Sequence, residues 1–300
     1  MNSIKSSLIA RGLLPLFLGA PAAFAATTAF SYDFEAATPG NLSGTGSLGS
    51  PSVGTLNATG GFVSTGNQAY ATGNNGSNNP ISTANNSTFN DVGTPAGNYI
   101  TASLSEPLNL AIGNPISVGF SLGSYGTNNP TQFKLVHAIG LSSTGDEVFH
   151  LTWRAGSGGS TRELYARTFG QDNTTFGASG YQSMDGTKIL DNVQNGINST
   201  NTSNRPGGMI DIDLSIDGLL WGASATPTAG TFASTPASDL AITSGASDLA
   251  SIQFFSSHNS SVNNQNKGLW LDDITVTQIP EPSTALLGGM GLLALLRRRR

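Results

Sequence analysis

Between Phe30 and Ile279 apolar residues recur at every second position in many short runs, and this period restricts the fold more than any other feature of the chain. Ile210, Ile212, Leu214 and Ile216 alternate with Asp211, Asp213, Ser215 and Asp217, and Phe149, Leu151 and Trp153 alternate with His150, Thr152 and Arg154. Phe133, Leu135, Ile139 and Leu141 share one parity, with His137 among them; Trp270, Ile274 and Val276 share another. Side chains of an extended strand point alternately to its two faces, so each run sends one set to a core and the other outward. Gly, Asn and Pro clusters at 73–80, 126–130 and 195–208 separate the runs, and residues 57–90 and 192–204 are of low complexity and predict long loops. No amphipathic helical period occurs in this stretch. Many strands without crossover helices predict an all-β fold of antiparallel sheets, a sandwich or barrel. The charged fraction, 10%, lies well under the roughly 25% of ordinary soluble domains. Gly, Ser, Thr and Asn fill the difference, and they favour turns over helices.

The two ends differ from this body. Lys5 and Arg11, the apolar run Leu13–Leu18 and Ala23-Phe24-Ala25 have the order of a secretory signal peptide, predicting a helical leader over 1–25 cut after Ala25. At the other end Pro280, Glu281 and Pro282 set an extended segment that no helix continues. Residues 283–296 are apolar or small, and Arg297, Arg298, Arg299 and Arg300 close the chain. As a helix the apolar stretch reaches about 21 Å against roughly 30 Å of hydrocarbon, a short transmembrane helix suited to transient inner-membrane anchoring, with the arginines held on the cytoplasmic side. Removing the ends leaves 7 basic against 17 acidic residues over 27–279. An acidic body excludes nucleic acid, which needs a basic face, and suits neutral polymers or divalent cations. The absence of cysteine excludes thiol catalysis and Cys-ligated metal.

The tail, Pro280 to Arg300, resembles the PEP-CTERM sorting signal: a Pro-Glu-Pro segment, an apolar stretch and a basic cluster in that order. The resemblance implies recognition by an exosortase-type membrane enzyme, removal of the tail, and a Gram-negative-type host that makes exopolysaccharide, often for biofilm. The domains are then 1–25, 26–279 and 280–300. Phe30–Glu35 at the opening of the body and Gly268–Val276 at its close resemble the first and last strands of jelly-roll modules, of concanavalin-like/laminin-G or galactose-binding type. A body of about 250 residues favours the concanavalin-like form, in which terminal strands often pair.

Candidate chemistry in the body is sparse. Gly119-Phe120-Ser121-Leu122-Gly123 has the G-x-S-x-G spacing, but Val118, Phe120 and Leu122 alternate as a strand and no helix follows to make an elbow. Gly44–Gly49 has the G-x-G-x-x-G spacing, but Pro51 stands where the helix would begin, so a loop is expected. Asp211, Asp213 and Asp217 project from one strand face, a solvated acidic surface that can also meet a cation or a sugar. Jelly-roll glucanases resemble this strand but use two glutamates around an aspartate, which disfavours glycoside hydrolysis here. If the terminal strands pair, Glu35 approaches Asp272 and Asp273, a candidate structural calcium site. His137, His150 and His258 are scattered, unlike clustered zinc ligands, and His137 is expected to be a satisfied core residue. Trp153 and Trp270 are expected in the core, and Trp221 or Tyr181 exposed for sugar stacking. Sequons such as Asn41, Asn57, Asn86, Asn173, Asn198 and Asn259 mark surface loops only if glycosylated. The expectation is a non-enzymatic surface or matrix protein at the outer surface, associated with exopolysaccharide. The alternative is a lectin-like carbohydrate-binding module, and after it a glycoside hydrolase.

Overall fold

The computed structural model describes residues 26–34, 40–41, 50–59, 62–64, 69–71, 99–124, 134–155, 162–169, 186–191, 210–227, 233–258 and 269–279. Its strands are β1 (Thr27–Tyr32), β2 (Gly40–Asn41), β3 (Thr55–Thr59), β4 (Phe62–Ser64), β5 (Ala69–Ala71), β6 (Tyr99–Asn109), β7 (Ile116–Ser124), β8 (Lys134–Leu141) and β9 (Glu147–Ala155). There follow β10 (Arg162–Arg167), β11 (Thr187–Asp191), β12 (Ile210–Asp217), β13 (Leu220–Pro227), β14 (Ala233–Ser234), β15 (Ala237–Ala241), β16 (Asp248–His258) and β17 (Leu269–Gln278). They form two antiparallel sheets. One has nine strands in the order β15-β13-β12-β7-β17-β5-β4-β2, with β1 also on β17; the other has eight, β14-β11-β10-β9-β8-β16-β6-β3. The all-β sandwich expected from the alternation is the fold. Low-complexity residues 57–90 are not loop throughout, since the end of β3 and all of β4 and β5 lie within them.

One apolar core fills the space between the sheets. The nine-stranded sheet supplies Val118, Phe120 and Leu122 of β7, the even residues of β12, and Ile274 and Val276; the other supplies Val136, Phe149, Leu151, Trp153, Leu164 and Phe254. Phe120 and Phe254 meet edge-on across the gap, centroids 5.1 Å apart. Each fully buried side chain of this size contributes about 1.5–3 kcal/mol. Gly140 makes room in β8 for its cross-strand partner: a Cβ there would lie 2.3 Å from the ring of Phe149.

Two expectations of parity change. In β8 the inward residues are Val136 and Ala138, while His137 and Ile139 are buried on the opposite, outer face. Strand β8 is thus covered on both sides, which a single-face reading of its apolar residues cannot reveal. In β17 the register against β7 slips between Asp272 and Thr275, and Asp273 takes a positive φ of 52°. This bulge flips the alternation: Leu271 is buried before it, Ile274 and Val276 after it. The even parity shared by Trp270, Ile274 and Val276 is therefore broken.

The first and last strands pair as expected, Thr27 opposite Gln278. The chain thus enters and leaves the sandwich side by side. The same end carries the short connections 110–115, 218–219 and 242–247. At the opposite end Ser124 and Lys134, Ala155 and Arg162, Asp191 and Ile210, and His258 and Leu269 are joined by segments outside the described residues. Among the described residues no helix is long and apolar enough to cross a membrane.

Candidate functional site

The outer face of the nine-stranded sheet is open and acidic. Strand β12 alternates without a break between buried and exposed residues, which leaves Asp211, Asp213 and Asp217 exposed on one face as their spacing predicts. A groove of about 470 Å³ runs over β7, β12, β13 and β15, with Ser117, Asp213, Ser215, Asp217, Ser224 and Asp239 among its lining. Hydroxyls and carboxylates of this kind suit the hydroxyl groups of a sugar chain. Ser121 is not a nucleophile on an elbow. It sits in mid-strand on β7 and donates its Oγ hydrogen to Asp211 Oδ1 at 2.6 Å.

The aspartates of the terminal strands adjoin this face. Asp272 stands opposite Ser121, which on its other side opposes Asp211. The Asp273 carboxyl is pushed above its usual range by partial burial and then by the negative charges of Asp211 and Asp33. Its backbone N–H donates to Asp272 Oδ1 at 3.0 Å. Glu35, the third member of the expected calcium site, lies outside the described residues. Among the described residues no three His, Asp or Glu gather in a metal-holding arrangement.

The eight-stranded sheet turns a different surface outward, and most of it is buried. Register aligns Phe255, His137, Thr152, Tyr165 and Lys188 in one row across β16, β8, β9, β10 and β11. Ile139, His150 and Arg167 form the next row. The histidines, scattered in sequence, meet here: His137 Nδ1 and His150 Nε2 share a hydrogen bond of 3.1 Å, and the Thr152 hydroxyl lies 3.2 Å from each nitrogen. Phe255 stacks on His137, centroids 4.7 Å apart. Glu147 Oε2 lies 3.6 Å from His150 Nδ1. Lys188 Nζ donates to Glu163 Oε1 at 2.8 Å and the Tyr165 hydroxyl to Glu163 Oε2 at 3.0 Å.

Burial sets the protonation of this cluster. Both imidazoles are held well below their usual pKa, mainly by burial; for His137 the neighbouring His150 comes next, and Arg167 lowers both. Burial pushes the Glu147 carboxyl up to about 7 against the opposing pull of the Arg167 guanidinium. Side-chain spacing along the chain could not assemble these groups, because they come from three strands, β8, β9 and β10. One signal was present: five of the seven basic residues of the body, Lys134, Arg154, Arg162, Arg167 and Lys188, fall in β8 to β11.

Trp153 is in the core as expected. Trp221 is a correction: at 2% exposure it packs inward against Phe149, centroids 6.0 Å apart, because in β13 it falls in register with the inward-facing Ile216. Gly44–Gly49, Tyr181, the cleavage residues Ala23 and Ala25, and the sorting residues Pro280, Glu281, Pro282 and Arg297 to Arg300 lie outside the described residues, as do the side chains of Trp270 and His258.

Residues 278–300 match the PEP-CTERM protein-sorting motif, which implies export and exosortase-dependent sorting. No curated protein matches the chain. Among solved structures the sandwich is similar to the CBM2 module of the evolved Dit of Lactobacillus casei BL23 phage J-1, with 10% identity, 84% of this chain and 95% of that one covered, and a TM-score of 0.43. It is similar to lectin UEA-II complexed with galactose, with 8% identity, coverages of 85% and 100%, and a TM-score of 0.43. Peanut lectin follows with 10% identity, coverages of 74% and 90%, and a TM-score of 0.40.

Proposed function

We propose that the chain is a non-enzymatic exported protein, handed by its tail to an exosortase-type membrane enzyme and left at the outer surface or in the extracellular matrix among exopolysaccharide, as in a biofilm. The carrying observation is the pairing of Thr27 with Gln278, one residue before Ile279 and Pro280. Leader removal and tail recognition would then act on one end of the sandwich, leaving its other end and the open acidic face of the nine-stranded sheet to the surroundings. The non-enzymatic reading is supported by where the polar groups lie. His137 and His150, the residue type best suited to acid–base work, are at most 1% exposed, while the accessible carboxylates line an open groove.

The groove favours a second reading, a lectin-like module that holds polysaccharide through Asp213, Asp217 and the serines between them. A structural calcium at Asp272 and Asp273, with Glu35, belongs to the same proposal and predicts a calcium-dependent rise in melting temperature. Mass spectrometry of both termini of protein recovered from cells tests the sorting reading, with an N-terminus at Ala26 and loss of Arg297 to Arg300 expected. A retained arginine tail would leave only a membrane anchor. Binding of the full chain to the host's own polysaccharide, reduced by Asp213→Ala with Asp217→Ala, tests the second reading.

A further inference from the structure

The end of the sandwich from which the chain departs is unusually apolar at its surface. Among the described residues the exposed large hydrophobic side chains are Ile112, Phe169, Leu219, Leu220 and Ile279. Four of them gather at that end of the nine-stranded sheet. Ile112 is 83% exposed on the β6–β7 connection and touches the β12–β13 turn, where a Cβ on Gly218 would come within 2.6 Å of its Cγ1. The Gly113 N–H donates to Asp217 Oδ1 at 2.7 Å and ties the two turns together. Leu219 and Leu220 follow in the same turn, 54% and 45% exposed. Ile279 donates its N–H to Pro115 O at 3.1 Å, on the connection that carries Ile112. The Gln278 side chain donates to the carbonyls of Asn109 and Asn114, which pins the last residue of β17 to the same connection. Adjacent strands β13, β12, β7 and β17 lie about 4.8 Å apart, so these tips span roughly 14 Å along the rim.

Exposed apolar side chains are ordinary when scattered singly and informative when grouped in one patch. What covers them follows from the chain beyond. Four Cα-to-Cα steps separate Ile279 from Ser283, where the apolar stretch begins. Even fully extended they reach only about 14 Å, and the polar headgroup layer on one side of a bilayer is about 5–8 Å thick. While residues 283–296 are held in a membrane, this rim cannot leave its surface by much more than that layer. We infer that Ile112, Leu219, Leu220 and Ile279 form a lipid-facing rim that dips into the bilayer interface and seats the sandwich upright on the membrane while its tail is retained. The inference rests on the membrane retention of the tail in the proposed function. The rim also carries the exposed Asp217, so the contact is apolar rather than a cationic attraction to anionic lipid.

The chain has no cysteine, so one introduced thiol is a unique label site. Full-length Ile112→Cys carrying an environment-sensitive fluorophore is reconstituted in phosphatidylcholine vesicles with and without nitroxide-labelled phosphatidylcholine. Thr226→Cys, exposed on β13 towards the other end, serves as the reference. Quenching at Ile112 on the order of twofold, unchanged by salt, is expected, with none at Thr226. Adding Leu219→Ser and Leu220→Ser should restore the emission, which shows that the rim and not the fluorophore seeks the lipid. A chain that floats with the vesicles but shows equal emission at both sites would overturn the rim alone. So would shielding at Ile112 that depends on protein concentration and not on nitroxide, which marks a protein partner. A chain that does not float overturns the tail reading and this one together.

Discussion

The sandwich has two outer faces built from the same strand geometry, and they have opposite character. On the nine-stranded sheet the outward residues of β12 are aspartates and a serine, all in solvent, against an unbroken inward row of Ile and Leu. On the eight-stranded sheet the buried outward residues of β8 to β10 are mostly polar, His137, His150, Thr152, Glu163, Tyr165 and Arg167, with Ile139 among them. The first face follows from alternation alone. The second needs each polar group to find partners from neighbouring strands, because burial without them is costly. The comparison predicts where the molecule is brittle and where it is tolerant.

The largest effect is expected from Arg167. Its side chain is fully buried and its charge acts on Glu147 and both histidines. Removing one partner from such a cluster leaves a carboxyl uncompensated, so Arg167→Ala should cost about 3–5 kcal/mol in denaturant unfolding. Asp213→Ala on the open face should stay within about 0.5 kcal/mol. Similar losses for the two variants would break the distinction between the faces.

The buried face should also make stability depend on pH. The histidines have folded pKa values depressed below 6.5, so their contribution is present above that pH and is lost as pH falls and the unfolded chain takes up protons. Glu147 works oppositely. Its carboxyl keeps a proton to about 7 in the folded chain but only to 4.5 in its unperturbed form. Its contribution is therefore full below 4.5 and lost as pH rises to 7. Between these limits two histidines oppose one carboxyl, so on balance stability should fall on acidification below pH 6.5. Glu147→Gln removes the opposing contribution and should steepen that loss. Melting curves at pH 5, 6 and 7 decide this; a flat profile would show that the cluster does not titrate against folding.

A smaller contrast tests packing in the two sheets. A Cβ on Gly140 would enter the ring of Phe149 at 2.3 Å, whereas one on Gly119 would find Thr275 Oγ1 at 3.0 Å on the exposed side. Gly140→Ala should cost about 1–3 kcal/mol through overpacking, and Gly119→Ala less than about 1 kcal/mol, since an exposed Thr can rotate away. Equal melting temperatures for the two would mean that Phe149 moves freely, against its place in the core.

What was legible in the chain follows the same division. Strands with one wet face, such as β12 and β7, could be read by parity down to the orientation of Asp211, Asp213 and Ser121. The pairing of the terminal strands came from the resemblance of Phe30–Glu35 and Gly268–Val276 to jelly-roll strands. Strand β8 was misread because both its faces are buried, and parity cannot rank two dry faces. The β17 bulge was illegible because a single residue with positive φ, Asp273, shifts every later side chain without altering composition. Trp221 was expected outside as a candidate for sugar stacking; its register with Ile216 places it inside. The His137–His150–Thr152 contact joins residues 13 and 15 apart, on two strands whose relative register no local motif announces.

The smallest expected effect is also the one that tests the acidic face most directly. Asp273 carries a positive φ, which Asn adopts as readily as Asp, and its carboxyl is pushed up by burial, by Asp211 and by Asp33. A raised folded pKa means that ionisation at neutral pH works against the fold. Asp273→Asn keeps the backbone preference and removes the repulsion, so it should stabilise the chain by a few tenths of a kcal/mol at pH 7 and low salt. The gain should shrink in 1 M salt, where screening reaches within about 3 Å, and fade on acidification as the wild-type Asp273 carboxyl takes up its proton. Calcium reverses the sign. If a cation bridges Asp272 and Asp273, the same substitution in millimolar calcium should lower the melting temperature, because the repulsion it relieves is then the attraction that holds the ion. A gain that is the same with and without calcium would leave the terminal strands held by their pairing and core contacts alone.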